Sequence, residues 1–194
     1  MIYSRFKKAF LFCGLLLAMF GCGVENGLQK LEQKVWANPN DVEAQFNLGK
    51  AYGSIGDYEK AATTLKKVTE LDSTHPVAYS ALGAAYFMLE RYDDAIQAFQ
   101  SAKALQPKDP EKSVDLGNAY FNAKKFPEAI SEYKTALALD STLHEVYYNL
   151  GMSYAKNGQK SEALHAYEIL KTYNSYLASS LQREFIDILG LEIE

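Results

Sequence analysis

Leu48-Gly49-Lys50-Ala51-Tyr52, Leu82-Gly83-Ala84-Ala85-Tyr86, Leu116-Gly117-Asn118-Ala119-Tyr120 and Leu150-Gly151-Met152-Ser153-Tyr154 are one five-residue phrase set down four times. Successive glycines stand 34 residues apart, and so do the tyrosines that follow them. Two more columns keep the same phase: Ala61, Ala95, Ala129 and Ala163, then Leu65, Phe99, Tyr133 and Tyr167. A fixed period of this length marks a stack of repeated units, because one unit cannot bury its apolar face alone.

Working outward from the phrase, each period reads as two helices. From Val42 to about Ile55 apolar residues recur at helical spacing, and Gly56-Asp57 breaks the run. Tyr58 to Leu71 resumes it, with Asp57 placed to cap the new helix. Asp72-Ser73 and Pro76 close the unit, as Pro107 and Pro110 do later, while Pro127 suits a first helical turn that needs no amide donor. Helices of about 14 residues are about 21 Å long.

These columns, from Val42 through about Asn174, resemble the tetratricopeptide repeat. The resemblance implies an all-α, right-handed superhelical solenoid of four helix hairpins, over 42–75, 76–109, 110–143 and 144–176. In that family the small glycine and alanine columns let paired helices cross closely, and the large columns fill between them. The first motif column departs from the usual Trp, reading Gln45, Tyr79, Ser113 and Tyr147. Lys160 replaces the aromatic of Tyr58, Tyr92 and Phe126, and Leu170 replaces the small Ala102 and Ala136, which predicts looser packing in the last unit.

The ends of such an array need lids. Leu28, Leu31 and Val35 make a short amphipathic N-capping helix within 22–41. In 177–194 a C-terminal capping helix carries Leu177, Leu181, Phe185, Ile188 and Leu189 on one stripe, with Gln182, Arg183, Glu184 and Asp187 facing away.

Residues 1–21 read as a signal peptide. Arg5, Lys7 and Lys8 precede an apolar run from Ala9 to Phe20, too short to cross a bilayer comfortably. Leu15 through Cys22, with Gly21 directly before the cysteine, resembles the lipobox of bacterial lipoproteins, although Met19 and Phe20 depart from its strict form. The resemblance implies lipid attachment at Cys22, where two or three acyl chains anchor durably. An uncut signal anchor and ordinary cleavage are the alternatives, and all three place the body outside the cytoplasm. The expected location is the bacterial envelope, facing the periplasm. Gly23 carries no inner-membrane retention signal, which favours the outer membrane.

Function is expected on a second stripe of each first helix, collected at spacings of i, i+3, i+7, i+10 and i+11. It holds Phe46 and Lys50 in the first unit, Ala84, Phe87 and Met88 with Val77 in the second, Val114, Asn118, Phe121 and Asn122 in the third, and Tyr148, Met152 and Lys156 in the fourth. In the resembled family this stripe lines a concave groove for extended or helical peptides. Met adapts to varied ligands, Asn118 and Asn122 suit a ligand backbone, and Lys50 or Lys156 a carboxylate. Family members that clamp a terminal carboxylate use cations where this chain has Phe46, Glu111 and Asp115, so that specificity is not supported. Packing of the stripe on the caps, or on a second copy of the chain as a homo-oligomer, is the competing use.

Other classes fare worse. Without 1–21 the chain has 17 basic and 24 acidic residues, a formal charge of −7, which argues against nucleic acid. Cys13 and Cys22 both lie in the N-terminal segment, leaving no cysteine pair for the body. His75 and His144 fall in inter-repeat turns and His165 on a second helix. His144-Glu145 lacks the second histidine of a zinc-protease motif, and Asp93-Asp94 sits at a helix start, where negative charge favours the dipole. No catalytic residue, metal or cofactor is implied. The expected protein is a membrane-tethered, non-enzymatic scaffold that binds a protein or peptide partner.

Overall fold

The computed structural model describes residues 27–190; the signal peptide 1–21 and Cys22 lie outside them. All regular structure among the described residues is helical. It divides into two compact units, the first ending at Asp72 and the second starting at Ser73.

The first unit holds α1 (27–37), α2 (Val42–Ser54) and α3 (Tyr58–Leu71). Asp41 caps α2 by accepting from the Ala44 amide at 2.9 Å, and Asp57 caps α3 by accepting from the Lys60 amide at 3.2 Å. The Tyr52 hydroxyl donates to Glu32 Oε1 at 2.7 Å, tying α2 to α1.

The second unit holds three hairpins of the same pattern and one further helix. These are α4 (Pro76–Met88) with α5 (Tyr92–Leu105), α6 (Pro110–Asn122) with α7 (Phe126–Leu139), and α8 (His144–Lys156) with α9 (Lys160–Tyr173), followed by α10 (Ser175–Leu189). Pro76 and Pro110 open their helices, where a missing amide costs nothing. His75 accepts the Ala78 amide on Nδ1 at 3.2 Å, and its role is that of a cap.

One turn geometry serves all four hairpins. The residue at its tip has positive φ in every copy: Gly56 at 81°, Glu90 at 58°, Lys124 at 60° and Gly158 at 78°. The next amide then reaches back along the first helix, Asp57 to Tyr52 at 3.0 Å and Arg91 to Tyr86 at 2.9 Å, which satisfies an orphan carbonyl there. Glycine meets this requirement freely in two copies, and Glu90 and Lys124 meet it under strain.

Within a hairpin the Leu-Gly column is a close-approach site. A Cβ added to Gly83 would stand 2.6 Å from the Phe99 ring, and one added to Gly117 would stand 2.7 Å from Tyr133 Cε1. Ala61, Ala95, Ala129 and Ala163 are all 0% exposed, so the second helix presses on the first through its smallest side chains.

The last hairpin differs, and its difference corrects an expectation. Leu170 does not loosen the packing: it is fully buried beside Ala178, Leu181 and Phe185 of α10. The larger side chain is accommodated because α10 follows instead of another repeat. Leu181 Cδ2 takes the place over Gly151 that the second helix's own residue takes elsewhere, 2.9 Å from an added Cβ. The Tyr167 ring lies 6.4 Å from Phe185. Helix α10 starts at Ser175, two residues ahead of the expected boundary, because Asn174 caps it by accepting the Leu177 amide at 3.1 Å. Gly190 ends it at φ 62°.

Candidate functional site

The second stripe runs along α4, α6 and α8 in the second unit, and along α2 in the first. On α2, Lys50 is exposed with its Nζ 5.3 Å from the Phe46 ring centre, a cation–π contact between the two.

On α4 the stripe is open. Val77 is 51% and Met88 53% exposed, and Ala84 between them is exposed too. Large apolar side chains are seldom left this far in water along one helix face without a contact to make. Phe87 is half-buried, its ring edge-on to Tyr92 at 5.6 Å. Phe121 on α6 repeats that arrangement against Phe126, again at 5.6 Å, and also packs on the cluster holding Tyr133 and Val146, as Val114 does. Both phenylalanines therefore hold their own hairpins together while remaining partly exposed.

Asn118 is the centre of a polar knot. Its Oδ1 accepts from the Tyr133 hydroxyl at 2.7 Å and from Asn149 Nδ2 at 3.3 Å, and its backbone carbonyl accepts from Asn122 Nδ2 at 2.9 Å. Asn118 is thus engaged by the fold, whereas Asn122 is exposed at the stripe's edge. Burial holds the Tyr133 phenol far above its usual range, so it stays a donor. Asp115, one position on from Val114, is half-buried, and burial raises its carboxyl pKa despite the nearby Lys112. Asn149 was not singled out in sequence, and Tyr133 was read only as a member of a packing column. The available signal was the column Asn47, Asp115 and Asn149, polar in three units of four.

The α8 end of the stripe is differently placed. Tyr148 and Met152 pack against the cluster that contains Leu181 and Phe185 of α10, and Ala155 is buried at 3%. Burial, then the Glu184 carboxylate of α10, push the Tyr148 phenol pKa upward. Helix α8 packs most on its hairpin partner α9, then on α7, and touches α6 lightly, while α10 rests on α8 about as fully as on α9. The chain's own last helix thus occupies the region of Tyr148 and Met152, and the accessible stripe of this unit is its α4–α6 part. Lys156 is exposed beyond it.

His144 stacks on Tyr173, ring centres 3.9 Å apart at 7°, and His165 sits on α9. Among the described residues no group of three or more His, Cys, Asp or Glu side chains is placed to hold a metal ion.

Family models described as tetratricopeptide repeat match residues 46–110 and 145–174, and one described as TPR repeat matches 117–158. No curated protein sequence matches the chain. Among solved structures, a crystal structure of MamA is 27% identical and has a TM-score of 0.73, covering 87% of this chain and 94% of that one. MamA from Desulfovibrio magneticus RS-1 is 24% identical with a TM-score of 0.71, over 91% of this chain and 96% of that one. A thermophilic TPR protein of Thermus thermophilus is 21% identical with a TM-score of 0.59, over 90% and 95%. The latter two share the fold alone. Helix register, turn geometry, family models and structural neighbours agree: the body of this chain is an array of tetratricopeptide repeats.

Proposed function

We propose that this chain is a non-enzymatic scaffold, held at the bacterial cell envelope by a lipid on Cys22, that grips a peptide segment of a partner protein along α4 and α6. A tetratricopeptide fold supports binding to proteins in general. The observation that carries the specific reading is the open apolar stripe of Val77, Ala84 and Met88, with Phe87 and Phe121 partly exposed beside it. Adaptable Met and rigid aromatic rings suit an extended or helical segment with apolar anchors. The lipobox-like run before Cys22 supports tethering, and with it a role as accessory to an envelope assembly.

Two variants test this reading. Val77→Glu with Met88→Glu abolishes co-purification of a specific envelope protein while leaving the helical signal intact; retention of that protein contradicts the stripe. Cys22→Ser abolishes acyl labelling, and persistent labelling contradicts the tether. Val77 and Met88 are better handles than Phe87 or Phe121, whose rings also hold Tyr92 and Phe126.

A second reading, self-association through the terminal helix, draws on Tyr176 and Ile186 of α10, which are 76% and 44% exposed. Light scattering separates the two, since a strict monomer at high concentration removes self-association.

A further inference from the structure

The second unit contains the same inter-repeat slot twice, once closed and once open. Between α5 and α7 it is closed by two polar contacts. Lys103 pairs with Glu132, with side chains 24% and 16% exposed, and Gln100 Nε2 donates to the Tyr120 hydroxyl at 2.8 Å. One period of 34 residues later, Lys103 becomes Leu137, Glu132 becomes Ala166, Gln100 becomes Lys134, and Tyr120 becomes Tyr154. Thr135 likewise becomes Ile169. The ion pair is replaced by one apolar side chain and one that stops at Cβ, so nothing spans the gap.

The result is a cleft of about 490 Å³ between α7, α8 and α9, with Leu137, Tyr147, Leu150, Ala166 and Ile169 on its walls. Small-ligand sites fall in the range of roughly 300–1,000 Å³, mostly apolar with a few polar groups that fix orientation. Those groups sit on the rim: Lys134 and Tyr154 on one side, and Ser161, Glu162 and His165 from α9. By the repeat register Lys134 and Tyr154 hold the positions of the bonded pair Gln100 and Tyr120. Unlike the side chains of Gln100 and Tyr120, neither the Lys134 ammonium nor the Tyr154 hydroxyl has an ion-pair or hydrogen-bond partner among the described residues. Two donors without a side-chain partner, one of them cationic, therefore line an apolar cleft. Burial, and secondarily Glu162, raise the Tyr154 phenol pKa and keep its proton in place.

We propose that this cleft binds an amphiphile with an aliphatic body and a carboxylate head, the body lying on Leu137, Leu150 and Ile169 and the head meeting Lys134 and Tyr154. The site is separate from the stripe of α4 and α6 and does not depend on it.

Calorimetric titration of the full chain with decanoate, and with decylammonium as its charge-reversed counterpart, tests the assignment. Decanoate binds saturably with one site per chain, and decylammonium at least tenfold more weakly. The double variant Leu137→Lys/Ala166→Glu writes the Lys103–Glu132 pair into the open slot; it loses decanoate binding and keeps its helical signal. Val77→Glu leaves decanoate affinity unchanged. Absence of decanoate binding, equal binding of the two amphiphiles, or undiminished binding by the double variant overturns the proposal. Should the double variant fail to fold, Lys134→Glu decides: a tenfold loss for decanoate supports the site, and an unchanged affinity overturns it. Cross-linking of a partner protein at Ile169, with no decanoate binding, would instead make the cleft a protein contact and overturn the carboxylate.

Discussion

Glu90 and Lys124 adopt the left-handed backbone that Gly56 and Gly158 adopt at the same place in their hairpins. A side chain in that region costs about 1–2 kcal/mol, while glycine returns part of the relief as unfolded-state entropy. Glu90→Gly and Lys124→Gly should therefore each stabilise the fold by about 0.5 kcal/mol, and Gly56→Ala should destabilise it by about 1 kcal/mol. The midpoint of urea denaturation reads all three. Tyr52 gives a second prediction at this scale. Its burial, and then the bond to Glu32, push the phenol pKa up to about 12. Above the ordinary value of about 10 the unfolded chain has lost this proton and the folded chain retains it. Stability is thus fully present below about pH 10 and falls as pH rises toward the folded value. Tyr52→Phe should cost about 1 kcal/mol at neutral pH and flatten the decline in melting temperature between about pH 10 and 12. An equally steep decline in the variant contradicts the assignment.

Helix α10 is the element on which the second unit's end depends. Phe185 is 0% exposed between α8 and α9, and Leu181 seats over Gly151. Phe185→Ala should destabilise the chain by about 3–5 kcal/mol, the usual loss for a fully buried aromatic, as measured by equilibrium denaturation. A loss under about 1 kcal/mol would mean that α10 rests on the array without closing it. The stripe of α10 was legible because Leu177, Leu181, Phe185 and Ile188 recur at helical spacing. Its seat was not, since a period tells which face is apolar and not what that face meets. The same limit explains Leu170, whose bulk reads as a defect until α10 fills the space around it. Helix bounds were legible to within a residue or two because the pattern of Leu-Gly, Tyr and Ala fixes them four times over. The slot beneath Leu137 and Ala166 was legible in principle, by comparing columns for lost charge pairs rather than for shared residues.

For the chain as a whole, repeat and charge agree with the proposed envelope scaffold. An acidic body of formal charge −7 follows a lipobox-like run, and its tetratricopeptide hairpins leave Val77, Ala84 and Met88 in solvent. Of the stripe expected in the fourth repeat, Tyr148 and Met152 lie against the cluster that α10 completes, which a sequence period could not report. The partner-binding claim consequently rests on α4 and α6. Site-specific photo-cross-linking in intact cells tests it most directly, with the cross-linker placed in turn at Val77, Ala84, Met88 and Asn122 and, as outer-face controls, at Ala104 and Ser131. One and the same envelope protein captured from the stripe positions, and absent from both controls, is the predicted result. Capture that is equal from the two faces, or absent from the stripe, contradicts it.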